Sequence, residues 1–286
     1  MTGPPPTPPA SAREGVRSAL AAAAARLAAM SSTPRLDAEL LMAHALGISR
    51  YDLLLHHLDD STPAVFEPLL LRRLAHEPIA YIAGIRAFWT IALEVGPGVL
   101  VPRPDSETLI ETAIAHFAER SPATILDLGT GPGTLLLAAL DQWPRAHGLG
   151  VDASEAALAY ARRNAERLGM ADRARFALGD WAAGIAGRFD LVLANPPYIG
   201  TREPLPADIR DHEPAIALFA GADGLDAYRR IVPDLQRLLA RGGIALLEIG
   251  AAQSGEVSDL VRKHRLTPSV HTDLAGRARV VAVLDS

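Results

Sequence analysis

The sequence predicts an α/β protein in which a small helical domain precedes a mostly parallel sheet covered by helices. Three observations predict it. From Ala123 onward, short aliphatic and β-branched runs alternate with helical stretches, the pattern of parallel strands joined by crossover helices. Alternating glycines, Gly129, Gly131 and Gly133, separate the first of these strands from its helix. From Ala12 to about His76, apolar residues such as Leu20, Ala24, Leu27 and Ala28 recur at helical spacing.

The elements follow in order. Residues 1–11 are rich in Pro, Ser and Thr and are expected to form a disordered leader. Residues 12–84 are expected to form an antiparallel helical bundle, because the breaks between helical stretches are short. Thr33-Pro34 reads as an N-cap with proline in the first turn, opening a helix over Arg35 to Leu46. Thr62-Pro63 repeats the signal before Val65 to Ala75. Phe88 to Val95 reads as one strand; Gly96-Pro97-Gly98 breaks it, and Val99 to Val101 is expected to pair back as a hairpin. Residues 85–104 are therefore a hairpin linker. Residues 105–286 form the second domain, opened by a helix over Ser106 to Glu119. Strands are expected at Thr124 to Leu128, Gly148 to Asp152, Arg175 to Ala177, Phe189 to Ala194 and Gly243 to Ile249. Helices are expected over Ser154 to Leu168 and Asp226 to Leu239, where Pro233 introduces a kink point. A hairpin-like pair closes the chain within residues 266–285.

Composition narrows the function. Hydrophobic residues make up 49% of the 286, enough to build a core in each of two domains. The formal net charge of −5 argues against a protein that wraps nucleic acid, so no stable nucleic-acid binding is expected. There is no cysteine, which excludes disulfides, thiolate catalysis and Cys-ligated zinc. The nine histidines show no ligand spacing, and His56 and His57 are adjacent; no metal is expected. No apolar run is long enough to span a membrane, and the Pro-rich start lacks the basic region of a signal peptide. The cytoplasm is the expected compartment and a monomer the expected state.

The glycine loop Asp127-Leu-Gly-Thr-Gly-Pro-Gly133 sits where open α/β sheets bind nucleotides, beyond the carboxyl end of a strand. Gly129, Gly131 and Gly133 permit positive φ and close approach to a ligand. Thr130 and Pro132 lie between them. Pro132 has no N–H to offer a phosphate. Asp152, at the end of the next strand, is placed to accept from ribose hydroxyls, and an N-cap role for the following helix is compatible with that. A nucleoside without an essential phosphate fits, and S-adenosylmethionine is such a ligand. After the third strand, Asp180 can accept from an adenine amino group. Trp181 can stack on the ring, or be simply a half-buried surface tryptophan.

The fourth strand ends in Asn195-Pro196-Pro197-Tyr198. Residues before proline are pushed to extended conformations, so the loop is stiff. Two acceptors converge there, the Asn195 side-chain oxygen and the Pro196 carbonyl, matching the two hydrogens of an –NH2 group. Tyr198 offers a face to a planar amide or base. An amide or aromatic amino nitrogen is a poor nucleophile. Bonds accepted from its N–H groups stabilise the positive charge that develops as it is methylated, and holding it in line with a methyl–sulfur bond supplies the rest. Asn195, Pro196 and Tyr198 are the candidate catalytic residues, and Asn195 to Tyr198 the candidate substrate site.

At this point the chain resembles the protein-(glutamine-N5) methyltransferases that modify peptide-chain release factors. The resemblance runs from about Ala12 to Val281. It is carried by Arg35 to Leu41, Glu77 to Gly84, Leu100-Val-Pro-Arg-Pro-Asp-Ser-Glu107, Asp127 to Gly133, Val151-Asp152, Gly179-Asp180-Trp181 and Asn195 to Tyr198. Glu213-Pro214, Gly221 to Leu225 and Leu247-Glu-Ile-Gly250 belong with them. Pro132 and Ser106 depart from the family's usual residues. The resemblance implies a Rossmann-like S-adenosylmethionine-dependent methyltransferase domain, a small N-terminal helical bundle and a β-hairpin linker. It implies that Gly129 to Gly133, Asp152 and Trp181 bind S-adenosylmethionine, with S-adenosylhomocysteine as product. It implies that Asn195 to Tyr198 bind the glutamine of the Gly-Gly-Gln motif of class I release factors, with Asn195 also near the cofactor methyl. The helical domain would help dock the release factor.

Asn-Pro-Pro-Tyr does not itself identify the acceptor. DNA adenine-N6 and rRNA guanine-N2 methyltransferases use a similar loop for the same –NH2 geometry, but they need a basic face or an added recognition domain. A cofactor-binding regulator without catalysis is a further reading. A dehydrogenase is disfavoured, because the three glycines lack G-x-G-x-x-G spacing.

Overall fold

A computed structural model describes residues 15–285; the expected leader lies outside the described residues. Contacts divide the chain into a helical unit up to Ala83 and a larger unit from Gly84. The helical unit holds α1 (Val16–Leu27), α2 (Pro34–Leu46), α3 (Arg50–His56), α4 (Phe66–Leu74) and α5 (Ile79–Ala83). Leu20, Leu27, Leu41, Met42, Leu53 and Leu70 fill its core. Within it, Arg73 pairs with Asp37 over 2.9 Å, both side chains buried.

The two threonine caps are not formed. The Thr33 hydroxyl donates to the Asp37 carboxylate at 3.1 Å rather than capping a backbone N–H. Thr62 lies ahead of a helix that begins only at Phe66, and its hydroxyl has no partner among the described residues. Ser49 and Ser154 do cap, accepting from Asp52 N and Ala157 N.

The larger unit opens with an antiparallel hairpin, β1 (Ile85–Phe88) and β2 (Ile91–Glu94), in the register Phe88↔Ile91. This corrects the expectation of one strand over Phe88 to Val95 that pairs with Val99 to Val101. The chain reverses within that run, at Trp89-Thr90, with Trp89 at φ 53°. The turn is held from outside: Trp89 N–H donates to Glu107 at 2.9 Å, and the Thr90 hydroxyl to Asp141 at 2.6 Å.

A 3-10 turn at Pro104–Ser106 leads into α6 (Glu107–Phe117). Then follow β3 (Thr124–Leu128), α7 (Thr134–Gln142), β4 (His147–Asp152), α8 (Glu155–Arg167), β5 (Ala174–Leu178), β6 (Phe189–Ala194) and α9 (Ala207–Arg210). The chain ends with α10 (Asp226–Leu238), β7 (Leu239–Glu248), α11 (Ser254–Lys263), β8 (Leu266–Thr272) and β9 (Ala278–Asp285). Helix α10 runs through Pro233 without ending.

The sheet order is β5-β4-β3-β6-β7-β9-β8. Strands β3 to β7 are mutually parallel, and β9 runs antiparallel to both β7 and β8. The order reverses between β3 and β6, and open α/β sheets bind ligands beyond the strand ends at such a switch point. Here β3 ends in the glycine loop, β4 in Asp152 and β6 in Asn195-Pro196-Pro197-Tyr198. Beneath them lies a core that includes Leu126, Val192, Tyr228, Leu235 and Leu247.

Candidate active site

The glycine loop owes its shape to its residue types. Gly129, Gly131 and Gly133 all have positive φ, at 74°, 57° and 87°, a region that L side chains rarely occupy. Gly129 also lies under Trp181: a Cβ there would stand 3.2 Å from Trp181 Cζ3. Asp127 braces the turn from inside. Its Oδ2 accepts from the Thr130 hydroxyl at 2.6 Å and from Leu136 N–H at 3.2 Å. Its Oδ1 is buried and has no partner among the described residues. Burial pushes the Asp127 carboxyl up to about 7, against those two donors.

Asp152 closes the loop from outside. Its Oδ2 accepts from Gly131 N–H and its Oδ1 from Ser154 N–H, both at 2.8 Å. Ser154, not Asp152, caps α8 through its side chain. Burial raises the Asp152 carboxyl above its ordinary value. The Asp180 carboxylate pairs with Arg230 on α10.

A cavity of about 340 Å³ opens over this loop. Gly129, Thr130, Gly131 and Pro132 line it, as do Asp152, Asp180, Trp181, Asn195 and Pro197. Of the expected cofactor residues Gly133 alone is not among those lining it; a Cβ on it would lie 2.8 Å from Leu137 Cδ1 on α7, so a glycine there lets the end of the loop pack on the helix. Pro196 and Tyr198 border a second pocket of about 100 Å³, together with Arg103 and Glu248. Asn195 borders both. It thus stands where the two spaces meet, and its Nδ2 donates to Ser106 Oγ at 3.1 Å. That bond leaves Oδ1 as the accepting end of the amide.

Several supporting residues had no assigned role in the sequence reading. Arg103 pairs with Glu213, whose other oxygen accepts from Val101 N–H at 3.2 Å. This explains the Glu213-Pro214 element. Burial raises the Glu213 carboxyl, and Arg103 opposes the rise. The Tyr198 carbonyl accepts from Gln253 Nε2 at 2.9 Å. A Cβ on Gly224 would meet that carbonyl at 2.2 Å, which explains a glycine there. Burial, reinforced by the Glu248 carboxylate, pushes the Tyr198 hydroxyl up to about 12, so it stays neutral.

Among the described residues no group of three or more His, Asp or Glu could hold a metal. No described helix is long and apolar enough to cross a membrane.

Residues 18–84 match the family described as PrmC N-terminal domain, and residues 119–267 match a methyltransferase domain family. The release factor glutamine methyltransferase of Caulobacter vibrioides is 42% identical over 87% of this chain and 88% of its own length. That of Cereibacter sphaeroides is 45% identical over 92% of this chain and 96% of its own. The chain belongs to the release factor glutamine methyltransferase family. This is the family that Pro102 to Glu107 and Asn195 to Tyr198 led the sequence reading to expect. A solved 16S rRNA N2 methyltransferase from T. thermophilus, in complex with AdoMet and guanosine, shares the fold of these methyltransferases. It has a TM-score of 0.52 and 18% identity, and the match covers 71% of this chain and 51% of that one.

Proposed function

We propose that the chain transfers a methyl group from S-adenosylmethionine to the side-chain amide nitrogen (N5) of the glutamine in the Gly-Gly-Gln motif of class I release factors. S-adenosylhomocysteine is the product. The observation that carries this reading is the place of Asn195, at the junction of the two pockets, with its nitrogen tied back to Ser106. The family to which the chain belongs supports the same substrate.

The residues around the larger cavity fit the cofactor. Asp127 Oδ1, buried and without a partner among the described residues, suits the α-ammonium group of the methionine moiety. Asp152 retains accepting capacity for ribose hydroxyls beside its backbone donors. Asp180 and Trp181 suit the adenine edge and face. When bound, the cofactor supplies an electrophilic methyl on a sulfonium sulfur.

The remaining work belongs to the chain. Asn195 Oδ1 and the Pro196 carbonyl accept the two N–H groups of the glutamine amide. The Tyr198 face supports the amide plane. These bonds strengthen as the nitrogen becomes positive, which lowers the barrier. Transfer is direct and in line, with no covalent enzyme intermediate: the carbon–nitrogen bond forms as the methyl–sulfur bond breaks, the electron pair stays on sulfur, and the methylated nitrogen gives up one of its two protons to water. The helical unit is assigned to release-factor docking, supported by Tyr51 and Leu55, exposed four residues apart on α3. We place the reaction in the cytoplasm, catalysed by a monomer without a metal and without stable nucleic-acid binding.

Purified protein with radiolabelled S-adenosylmethionine is expected to label unmodified release factor at that glutamine. Labelling of DNA or rRNA alone overturns the reading.

A further inference from the structure

The turn between β8 and β9 is built around one arginine. Strand β9 starts at the carboxyl end of the parallel strands, since Val280 pairs with Glu248, the last residue of β7. Arg279 lies just before that pair, and its side chain is only 12% exposed. A guanidinium so buried is costly unless carboxylates answer it. Two do: Nη2 stands 2.7 Å from Asp105 Oδ2, and Nε 3.3 Å from Asp273 Oδ2. Asp273 also accepts from the N–H groups of Ala275 and Arg277, each at 2.9 Å. The carboxylate that shapes the turn thus also aims the arginine. None of Asp105, Asp273 and Arg279 borders either pocket.

Bonds from this arginine nevertheless reach both ends of the Asn195–Tyr198 loop. Through its side chain, Arg279 holds Asp105, the middle residue of the 3-10 turn Pro104–Ser106. Ser106 ends that turn, with its N–H on the Arg103 carbonyl at 3.1 Å. The Ser106 Oγ in turn accepts from Asn195 Nδ2 at 3.1 Å. Through the backbone, the Arg279 carbonyl accepts from Ile249 N–H at 2.8 Å. The next residue, Gly250, donates its N–H to Gln253 Oε1 at 3.0 Å, and Gln253 Nε2 donates to the Tyr198 carbonyl at 2.9 Å.

We propose that Arg279 is a positioning residue for methyl transfer, fixing the two ends of the acceptor loop relative to each other: Asn195 through Asp105 and Ser106, Tyr198 through Ile249 and Gln253. This deepens the proposed function and rests on it.

The loop needs such a support because stiffness is not placement. Pro196 and Pro197 restrict the backbone between Asn195 and Tyr198, but a stiff segment can still tilt as one body. Its tilt is set by what its two ends rest on. The Asn195 side-chain oxygen and the Pro196 carbonyl must both reach hydrogens of one amide group, and hydrogen bonds tolerate only a few tenths of an ångström. The residue type matters as well. One planar guanidinium offers donors in two directions, toward Asp105 and toward Asp273, which a lysine ammonium matches in charge but not in shape.

The test is kcat for methylation of unmodified release factor, per cofactor-binding site counted by calorimetry so that unfolded protein does not enter. Arg279→Gln is expected to lower kcat roughly 10- to 100-fold, the scale of a misplaced reacting group, with cofactor affinity and the KM for release factor within about threefold. Asp105→Asn should lower kcat similarly, and the double variant should be no worse than the poorer single one, as for residues acting in series. Arg277 belongs to the same turn but is half exposed and only within 3.6 Å of Asp105. Arg277→Gln should therefore stay within about twofold of wild type, as for an exposed ion pair. Wild-type kcat in Arg279→Gln, an equal loss in Arg277→Gln, or multiplying losses in the double variant overturns the proposal. If Arg279→Gln does not fold, Asp105→Asn decides: a lowered kcat at unchanged cofactor affinity supports the proposal, and a wild-type kcat overturns it. A wild-type protein that binds cofactor but leaves release factor unlabelled overturns instead the functional reading beneath.

Discussion

Gly131 donates its backbone N–H to Asp152 Oδ2 over 2.8 Å, joining the middle of the glycine loop to the end of the neighbouring strand. The carboxylate proposed to take up ribose thus also sets the loop that borders the rest of the ligand. Asp152→Ala removes both functions. Cofactor affinity is expected to fall by roughly 10- to 100-fold, the worth of one or two hydrogen bonds to a charged group. Asp152→Asn keeps an acceptor for Gly131 and should lose less. Calorimetric titration checks both.

Asp127 predicts the pH dependence of cofactor binding. Its carboxyl is held up to about 7 by burial, so the unliganded protein carries a proton there below that pH. A cationic ligand favours the ionised form and must displace the proton. Affinity should therefore rise with pH, approaching tenfold per unit below about 7 and levelling above it. The sign for stability is opposite. The unfolded chain gives up this proton near 3.8, so the unliganded fold loses stability as pH rises from there to about 7. Titrations between pH 5.5 and 8.5 should show the slope, and Asp127→Asn should flatten it.

Asn195→Ala should separate binding from chemistry. The side chain borders the cofactor cavity without bracing the loop, so cofactor affinity should change only a few-fold. Turnover should drop by roughly 100-fold or more, as when an oriented donor or acceptor at a transition state is removed. Single-turnover rates with saturating release factor decide between the two.

Arg103→Ala would leave the Glu213 side chain, only 1% exposed, without its cation. Breaking a fully buried pair costs about 3–5 kcal/mol. Arg103 is itself one-third exposed, so about 2–3 kcal/mol is expected. Chemical denaturation should show the loss, and adding Glu213→Gln should restore part of it.

Much of the site was legible because residue type dictates backbone there. Three glycines at positive φ and two consecutive prolines can do few other things, so the loops at Gly129 and Asn195 announced themselves. The strands from β3 onward were legible from alternation, with ends shifted by a few residues. Three things were not legible. The reversal at Trp89-Thr90 uses an aromatic residue at positive φ, stabilised by Glu107 and Asp141 rather than by local preference. The threonines at 33 and 62 carry a cap signal, but Asp37 takes the hydroxyl of one and the helix after the other starts too late. The bond from Asn195 to Ser106 joins residues 89 positions apart. Such pairings arise only once the sheet order is fixed, and nothing in the sequence around Arg279 announced its reach to Asp105.

Asn164 is fully buried on α8. Its Nδ2 donates to the Pro132 carbonyl and to the Glu94 carbonyl, each at 3.0 Å, while its Oδ1 accepts from Glu94 N–H at 2.6 Å. One amide therefore knots the hairpin to the glycine loop. Neither can fray alone, since opening either strands polar groups of the other in a dry interior. The hairpin and the glycine loop are therefore expected to share one opening reaction and one lifetime, and a ligand that quiets the loop should also slow solvent exchange at Glu94.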